Sequence, residues 1–319
     1  MIEVRRILCP IDFSDHSRRA LDHAVALARH YGSTITVLHV VPPRPGVAVG
    51  ATPVVFGPIV SGPADHERVL ADVRAFMTTG SATGLRIDAL VCEGNTAAEI
   101  LDQAAAMKAD LLVMGTHGRS GYDRLLLGSV TEKVLWKASC PVMTVPRGGP
   151  GAVPFGPIPY QRILCPIDFS ESSLQALKFA VSLARSGTQV TVLHVVTPEL
   201  EDTSQLESGA GMTVGEFLKE REDALARQLR RVVAGAANRA SIEPLMAHGK
   251  PWREVLRVAA ERHSDLLVMG VQGRGAARLF FLGSTTQHVV RQASCPVLTL
   301  RQGVDPPDPD DPPTVEEPS

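Results

Sequence analysis

The chain has 319 residues, 44% of them hydrophobic and 21% charged, with a formal net charge of −2. That is enough chain for two domains of about 150 residues each, with the composition of a soluble globular protein. The near-neutral balance leaves no electrostatic footprint for nucleic acid or an anionic membrane, and aromatics at 4% leave little to stack bases on. No apolar run approaches the roughly 18 residues of a membrane span. The opening MIEVRRILCPIDFS turns charged and then polar too soon for a secretory leader, so a cytoplasmic protein is expected.

In chain order, residues 7–11 read as a strand with Pro10 near its end, and Ser14 as the N-cap of a helix to residue 28. Residues 34–41 are β-branched and apolar, a second strand. The segment 42–63, rich in Gly and Pro without periodicity, reads as a long loop, followed by a helix over 64–79. A third strand is expected at 85–92, then a helix to residue 107 opened by a Thr96/Glu99 capping box. An apolar run from Leu111, too short for a helix and without alternation, reads as a strand buried on both faces. A helix over 130–137 and a strand over 142–145 complete the series.

The series then repeats. RILCPIDFS stands at Arg6 and again at Arg162, an offset of 156; TVLHVV, DLLVMG and ASCPV recur at an offset of 155. This is a tandem duplication, with one copy over 1–146, a linker over 147–159, a second copy over 160–301 and an acidic, proline-rich tail over 302–319 expected to be disordered. The second copy carries a longer charged helix over 214–233. Strands alternating with helices imply a mostly parallel sheet with helices on both faces, an α/β doubly wound, Rossmann-like unit in each copy.

The five cysteines are scattered. Cys9, Cys165, Cys140 and Cys295 fall in matching pairs at strand positions before proline and read as small buried hydrophobes of a reducing compartment. No CxxC or histidine cluster suggests a metal. His39 and His194, inside strands, read as structural.

The stretch with most chemistry is LLVMGTHGRSGYDRLLLGS and its near-copy LLVMGVQGRGAARLFFLGS. Gly115, Gly118, Gly128 and Ser129 stand at the same spacing as Gly270, Gly273, Gly283 and Ser284. Glycines at a strand end let backbone N–H groups approach a ligand, and Ser129/Glu132 and Ser284/Gln287 read as capping boxes opening helices. A glycine loop feeding a helix N-terminus makes a phosphate cradle. Asp12 and Asp168 end the first strand of each copy at the same sheet edge, where ligands of doubly wound sheets bind; each could accept from adenine or ribose, or form the turn before the helix. Val40 and Val195 could wall a base or belong to the core.

With these motifs in place, the chain resembles the universal stress protein family, in its ATP-binding branch, nearly end to end and twice over. The resemblance implies that Pro10, Asp12 and Val40 hold adenosine, and that Met114, Gly115, Gly118, Arg119, Gly128, Ser129, Val130 and Thr131 hold phosphates and ribose. The second site would be Pro166, Asp168, Val195, Met269, Gly270, Gly273, Arg274, Gly283, Ser284, Thr285 and Thr286, with Thr285 where valine is expected. The implied ligand is ATP, with ADP or AMP as alternatives and Mg²⁺ arriving with the nucleotide. Gln272 replaces His117, so no catalytic histidine is expected there, and the loop lacks the Walker Lys-Ser/Thr pair. A regulatory, stress-response binding protein is expected. A slow ATPase or phosphotransferase, a flavin protein and a non-nucleotide scaffold are the competing readings. The short last strands should pair the copies into an internal pseudo-dimer, with a homodimer of whole chains as a further possibility.

Overall fold

A computed structural model describes residues 4–43, 47–49, 52–54, 63–78, 84–116, 127–146, 160–197, 214–236, 241–271 and 283–301. The linker 147–159, the tail 302–319 and Gly118, Arg119, Gly273 and Arg274 lie outside them. In the first copy the elements run β1 (Arg6–Ile11), α1 (Asp15–Tyr31), β2 (Thr34–Val41), β3 (Val47–Val49), β4 (Thr52–Val54), α2 (Pro63–Thr78), β5 (Ile87–Glu93), α3 (Thr96–Ala106), β6 (Leu111–Gly115), α4 (Ser129–Lys137) and β7 (Val142–Val145). The second copy gives β8 (Arg162–Pro166), α5 (Glu171–Leu183), β9 (Gln189–Val196), α6 (Val214–Ala236), β10 (Ser241–His248), α7 (Pro251–Glu261), β11 (Leu266–Gly270), α8 (Ser284–Gln292) and β12 (Val297–Leu300).

The strands form one ten-stranded sheet in the order β10-β9-β8-β11-β12-β7-β6-β1-β2-β5. Every pairing in it is parallel except β12 with β7, which is antiparallel and joins the copies. Alternating strand residues feed two cores, one per face. Ile7, Cys9 and Ile11 face the layer of α1, α2, α5 and α6, whereas Leu8 faces α3, α4, α7 and α8. Both cores run without interruption from one copy into the other. At the edge where β1 and β8 begin, Asp110 Oδ2 accepts from the N–H of Arg5 (3.0 Å) and Arg6 (2.7 Å). Asp265 does the same for Gln161 (2.8 Å) and Arg162 (3.0 Å). The repeated Asp of DLLVMG is thus a clamp on the central strand.

Several expectations need correction. The segment 42–63 is not all loop, because β3 and β4 pair there as an antiparallel hairpin. The third strand begins at Ile87, not at residue 85. Cys140 and Cys295 lie in the bends before β7 and β12 rather than in strands, although both are buried. None of the three expected capping boxes forms. Asn95 caps α3, its side chain accepting from the N–H of Ala98 at 3.2 Å, which makes Thr96 the first helical residue. Gly128 and Gly283 are the N-caps of α4 and α8, so Ser129 and Ser284 sit one position inside and neither cap has a side-chain partner.

Candidate functional site

In each copy the central strand, β1 or β8, is flanked by strands reached in opposite directions along the sheet, which makes it the point where strand order reverses. Ligands of such sheets bind there, beyond the carboxyl ends of the strands. The sequence opens a crevice at this point. β1 pairs with β2 over six residues but with β6 only at Ile7 and Leu8; β8 pairs with β11 only at Ile163 and Leu164. The cause is the proline. Ile167 N–H donates to Leu193 O of β9 (2.8 Å), so the preceding Pro166 nitrogen faces β11 and has no hydrogen to give. Pro10 holds the same place in β1.

The crevice floor is braced twice in the same way. His39 Nδ1 lies 2.9 Å from Ile11 O, and His194 Nδ1 2.9 Å from Ile167 O. A carbonyl only accepts, so Nδ1 carries the hydrogen in both. Phe13 and Phe169 then turn the chain at φ 62° each, a left-handed conformation that costs a bulky residue on the order of 1 kcal/mol. Their rings pack on the histidines at 4.5 and 4.6 Å between centroids. Asp12 Oδ1 accepts from Ser14 N (3.1 Å) and Ser14 Oγ (2.5 Å), and Asp168 Oδ1 from Ser170 N (3.0 Å) and Oγ (2.5 Å). The turn-forming alternative is therefore realised, and it leaves both carboxylates half-buried at the crevice lip. The Phe–His brace escaped sequence reasoning, although PIDFS and the strand histidine recur in both copies.

Across the crevice, Val40, Met114, Thr131, Met269 and Thr286 are buried, while Gly128, Val130, Pro166, Val195, Gly270, Gly283 and Thr285 are half-buried. Ser129 and Ser284 are exposed. Thr131 Oγ1 donates to Gly115 O (3.0 Å) and Thr286 Oγ1 to Gly270 O (2.9 Å). Gly128 N–H donates to Thr116 O (3.0 Å), and Gly283 N–H to Val271 O (2.9 Å). Both ends of each glycine-rich loop are thereby held together, and the start of α4 or α8 is fixed to the strand end. The first glycine of each loop also has a packing role. A Cβ on Gly115 would stand 3.1 Å from His16 Cβ and 3.2 Å from its backbone; one on Gly270 would stand 2.8 Å from Ser172 Oγ. These glycines admit the first turn of α1 or α5.

The helix starts at this edge differ in a way that bears on chemistry. α1 is capped by Ser14 and α5 by Ser170, each accepting from the third residue on. α4 and α8, like α7, have no side-chain cap, but only α4 and α8 follow the strands β6 and β11 that border the crevice. Their first-turn N–H groups and the positive end of the helix dipole therefore meet it without a competing acceptor at the cap. An anionic group such as a phosphate fits that arrangement. Among the described residues no group of three or more His, Cys, Asp or Glu could hold a metal ion, and no helix is long and apolar enough to cross a membrane.

The sequence profile of the universal stress protein family matches this chain twice, over residues 3–146 and 159–301. A universal stress protein of Mycolicibacterium smegmatis is 26% identical over 301 residues, covering 92% of this chain and 96% of that protein. One from Methanocaldococcus jannaschii is 34% identical over 143 residues, covering 45% of this chain and 82% of its own length. Among solved structures, a universal stress protein from Archaeoglobus fulgidus superposes with a TM-score of 0.60 at 23% identity, covering 94% of this chain and 97% of that one. That likeness is one of fold.

Proposed function

The chain belongs to the universal stress protein family, and on that footing we propose that it is a regulatory protein that binds adenine nucleotide at two sites, one per copy, with little or no turnover. The observation that supports this most is the pair of uncapped helix starts, α4 and α8, set against the serine-capped α1 and α5 at the same edge. In this reading the N–H groups of Ser129, Val130 and Thr131, and of Ser284, Thr285 and Thr286, donate to the phosphates. Gly118, Arg119, Gly273 and Arg274 belong to the same proposed phosphate set. Adenosine lies in the crevice that Pro10 and Pro166 open, against Asp12, Val40 and Met114 in one copy and Asp168, Val195 and Met269 in the other. ATP is the expected ligand, ADP and AMP the less charged alternatives, and Mg²⁺ travels with the nucleotide. Fast phosphoryl transfer needs a fixed metal and a positioned nucleophile, and Asp12 and Asp168 are already committed to their turns through Oδ1.

The test removes a donor without disturbing the fold. Proline suits the first position of a helix, where its missing N–H breaks no intrahelical bond, and α7 already begins that way with Pro251. Gly128 at φ −60°, ψ 134° and Gly283 at φ −55°, ψ 138° have the conformation that precedes proline readily. Ser129→Pro and Ser284→Pro should each weaken ATP at one site by about tenfold or more, the worth of one hydrogen bond to a charged group, while leaving the melting temperature in place. Calorimetry and denaturing extraction read both. Two nucleotides per chain, each weakened by its own substitution, support the reading. No heat at millimolar ATP means binding weaker than about −4 kcal/mol, and a scaffold would then be the better description. Turnover above about one per second would overturn the non-catalytic part.

A further inference from the structure

Gln287 Nε2 donates to Glu132 Oε1 at 3.0 Å, a hydrogen bond from one copy to the other. The two positions are equivalents, separated by the same offset of 155 as the repeated motifs, so the contact straddles the pseudo-twofold axis that relates the copies. The sheet has the same axis, since the β7–β12 junction pairs the equivalents Met143 and Leu298. Each partner lies in the first turn of a helix whose start forms the proposed phosphate site. Glu132 directly follows Thr131, and Gln287 directly follows Thr286, the hydroxyls that fasten α4 and α8 to Gly115 and Gly270. The N–H of Glu132 also donates to Gly128 O (2.9 Å), and that of Gln287 to Gly283 O (2.9 Å).

From each crevice to the axis there is thus a short, continuous chain of contacts: strand end, helix cap, threonine anchor, seam residue. The seam is also one that two identical subunits could not make. A symmetric dimer would set Glu against Glu, which repels, or Gln against Gln, which is neutral. Fusion into one chain lets the two positions differ, and the resulting pair is a charge-assisted hydrogen bond.

We propose that this pair couples the two nucleotide sites, so that filling one raises the affinity of the other. The inference rests on the nucleotide reading above. A ligand that fixes the first turn of α4 fixes Glu132, which holds Gln287 and with it the first turn of α8. The cost of ordering the second helix start is then already met when its ligand arrives, and cooperativity of this kind needs no large movement. Reciprocity follows, because the coupling between two binding equilibria is the same seen from either site. One half-buried hydrogen bond places the effect at the low end of known couplings, about fivefold.

The experiment is a titration of the full chain with Mg-ATP, followed by calorimetry and by the amide resonances of Ser129–Thr131 and Ser284–Thr286. It is run on the parent, on Gln287→Ala, on Glu132→Ala and on the exchange variant Glu132→Gln/Gln287→Glu, which restores the pair with its polarity reversed. Support would be a second-site affinity about fivefold tighter than independent filling allows, lost in both alanine variants and recovered in the exchange. Independent filling in the parent, or coupling that survives Gln287→Ala, overturns the proposal and leaves the nucleotide reading standing. An absence of both heat and amide shifts at millimolar Mg-ATP removes the nucleotide reading, and the coupling falls with it. The exchange variant keeps the comparison decisive should an alanine variant lose stability.

Discussion

His23 is fully buried where the copies meet, with Nε2 3.0 Å from the hydroxyl of Tyr160, which in turn lies 3.6 Å from Met143 Sδ. Burial lowers the pKa of His23 from 6.5 to about 4, because an imidazolium there would lose its water. Between those two values the unfolded chain binds a proton that the folded chain does not. Stability is therefore complete above pH 6.5 and falls as pH drops through the window, by about 3 kcal/mol at its lower end. His30, lowered by burial and then by Arg185, acts in the same direction. Urea unfolding at intervals from pH 4.5 to 7 should show this decline in the parent and a flatter profile in His23→Gln. An equal slope in both would remove His23 from the explanation. Its counterpart in the second copy is Phe179, also fully buried. A phenylalanine at the equivalent position is the sequence signal that position 23 belongs to the core.

At the scale of elements, the sheet and most helices could be read from apolar runs and from their repetition, and the places that misled were helix starts. Ser129 with Glu132, and Ser284 with Gln287, satisfy a local rule for capping, yet each serine is one residue inside its helix. The deciding contacts are not local. Thr131 reaches back to Gly115 O, sixteen residues away, and Glu132 is engaged by the other copy. At α3, Asn95 takes the cap from Thr96, in keeping with the stronger capping preference of asparagine. The crevice was legible only in part. Pro10 and Pro166 stand in plain view in the sequence, but that their nitrogens face β6 and β11 depends on the order of strands. If the threonine anchors hold the helix starts, Thr131→Val and Thr286→Val, which keep the shape and lose the hydroxyl, should each cost about 1 kcal/mol. First-turn amides of the affected helix should then exchange faster with solvent. Unchanged exchange and unchanged stability would refute the anchoring role.

For the whole molecule, the question is whether two copies make two independent bodies or one. The junction argues for one. β7 and β12 are the outer strands of their own copies, and each covers the other's open edge. Thr144 Oγ1 donates to Val297 O (3.2 Å) and Thr299 Oγ1 to Val142 O (3.1 Å), a reciprocal pair about the Met143–Leu298 centre. The edges left at the two ends are β5 and β10, and β10 carries Pro244, which an edge strand tolerates and a central one does not. Because both cores cross the junction, opening one copy exposes apolar surface of the other, and unfolding should be a single cooperative transition in spite of the duplication. Leu298, 1% exposed and opposite Met143, is the position to challenge. Leu298→Asp would bury an unpaired carboxylate at the centre of the junction, at a cost on the order of 3 kcal/mol or more. The denaturation curve should then shift to lower urea and separate into two steps, as each copy loses the support of its neighbour. Two steps already present in the parent chain would mean that the shared cores contribute little to cohesion, and that the copies are joined by their strands alone.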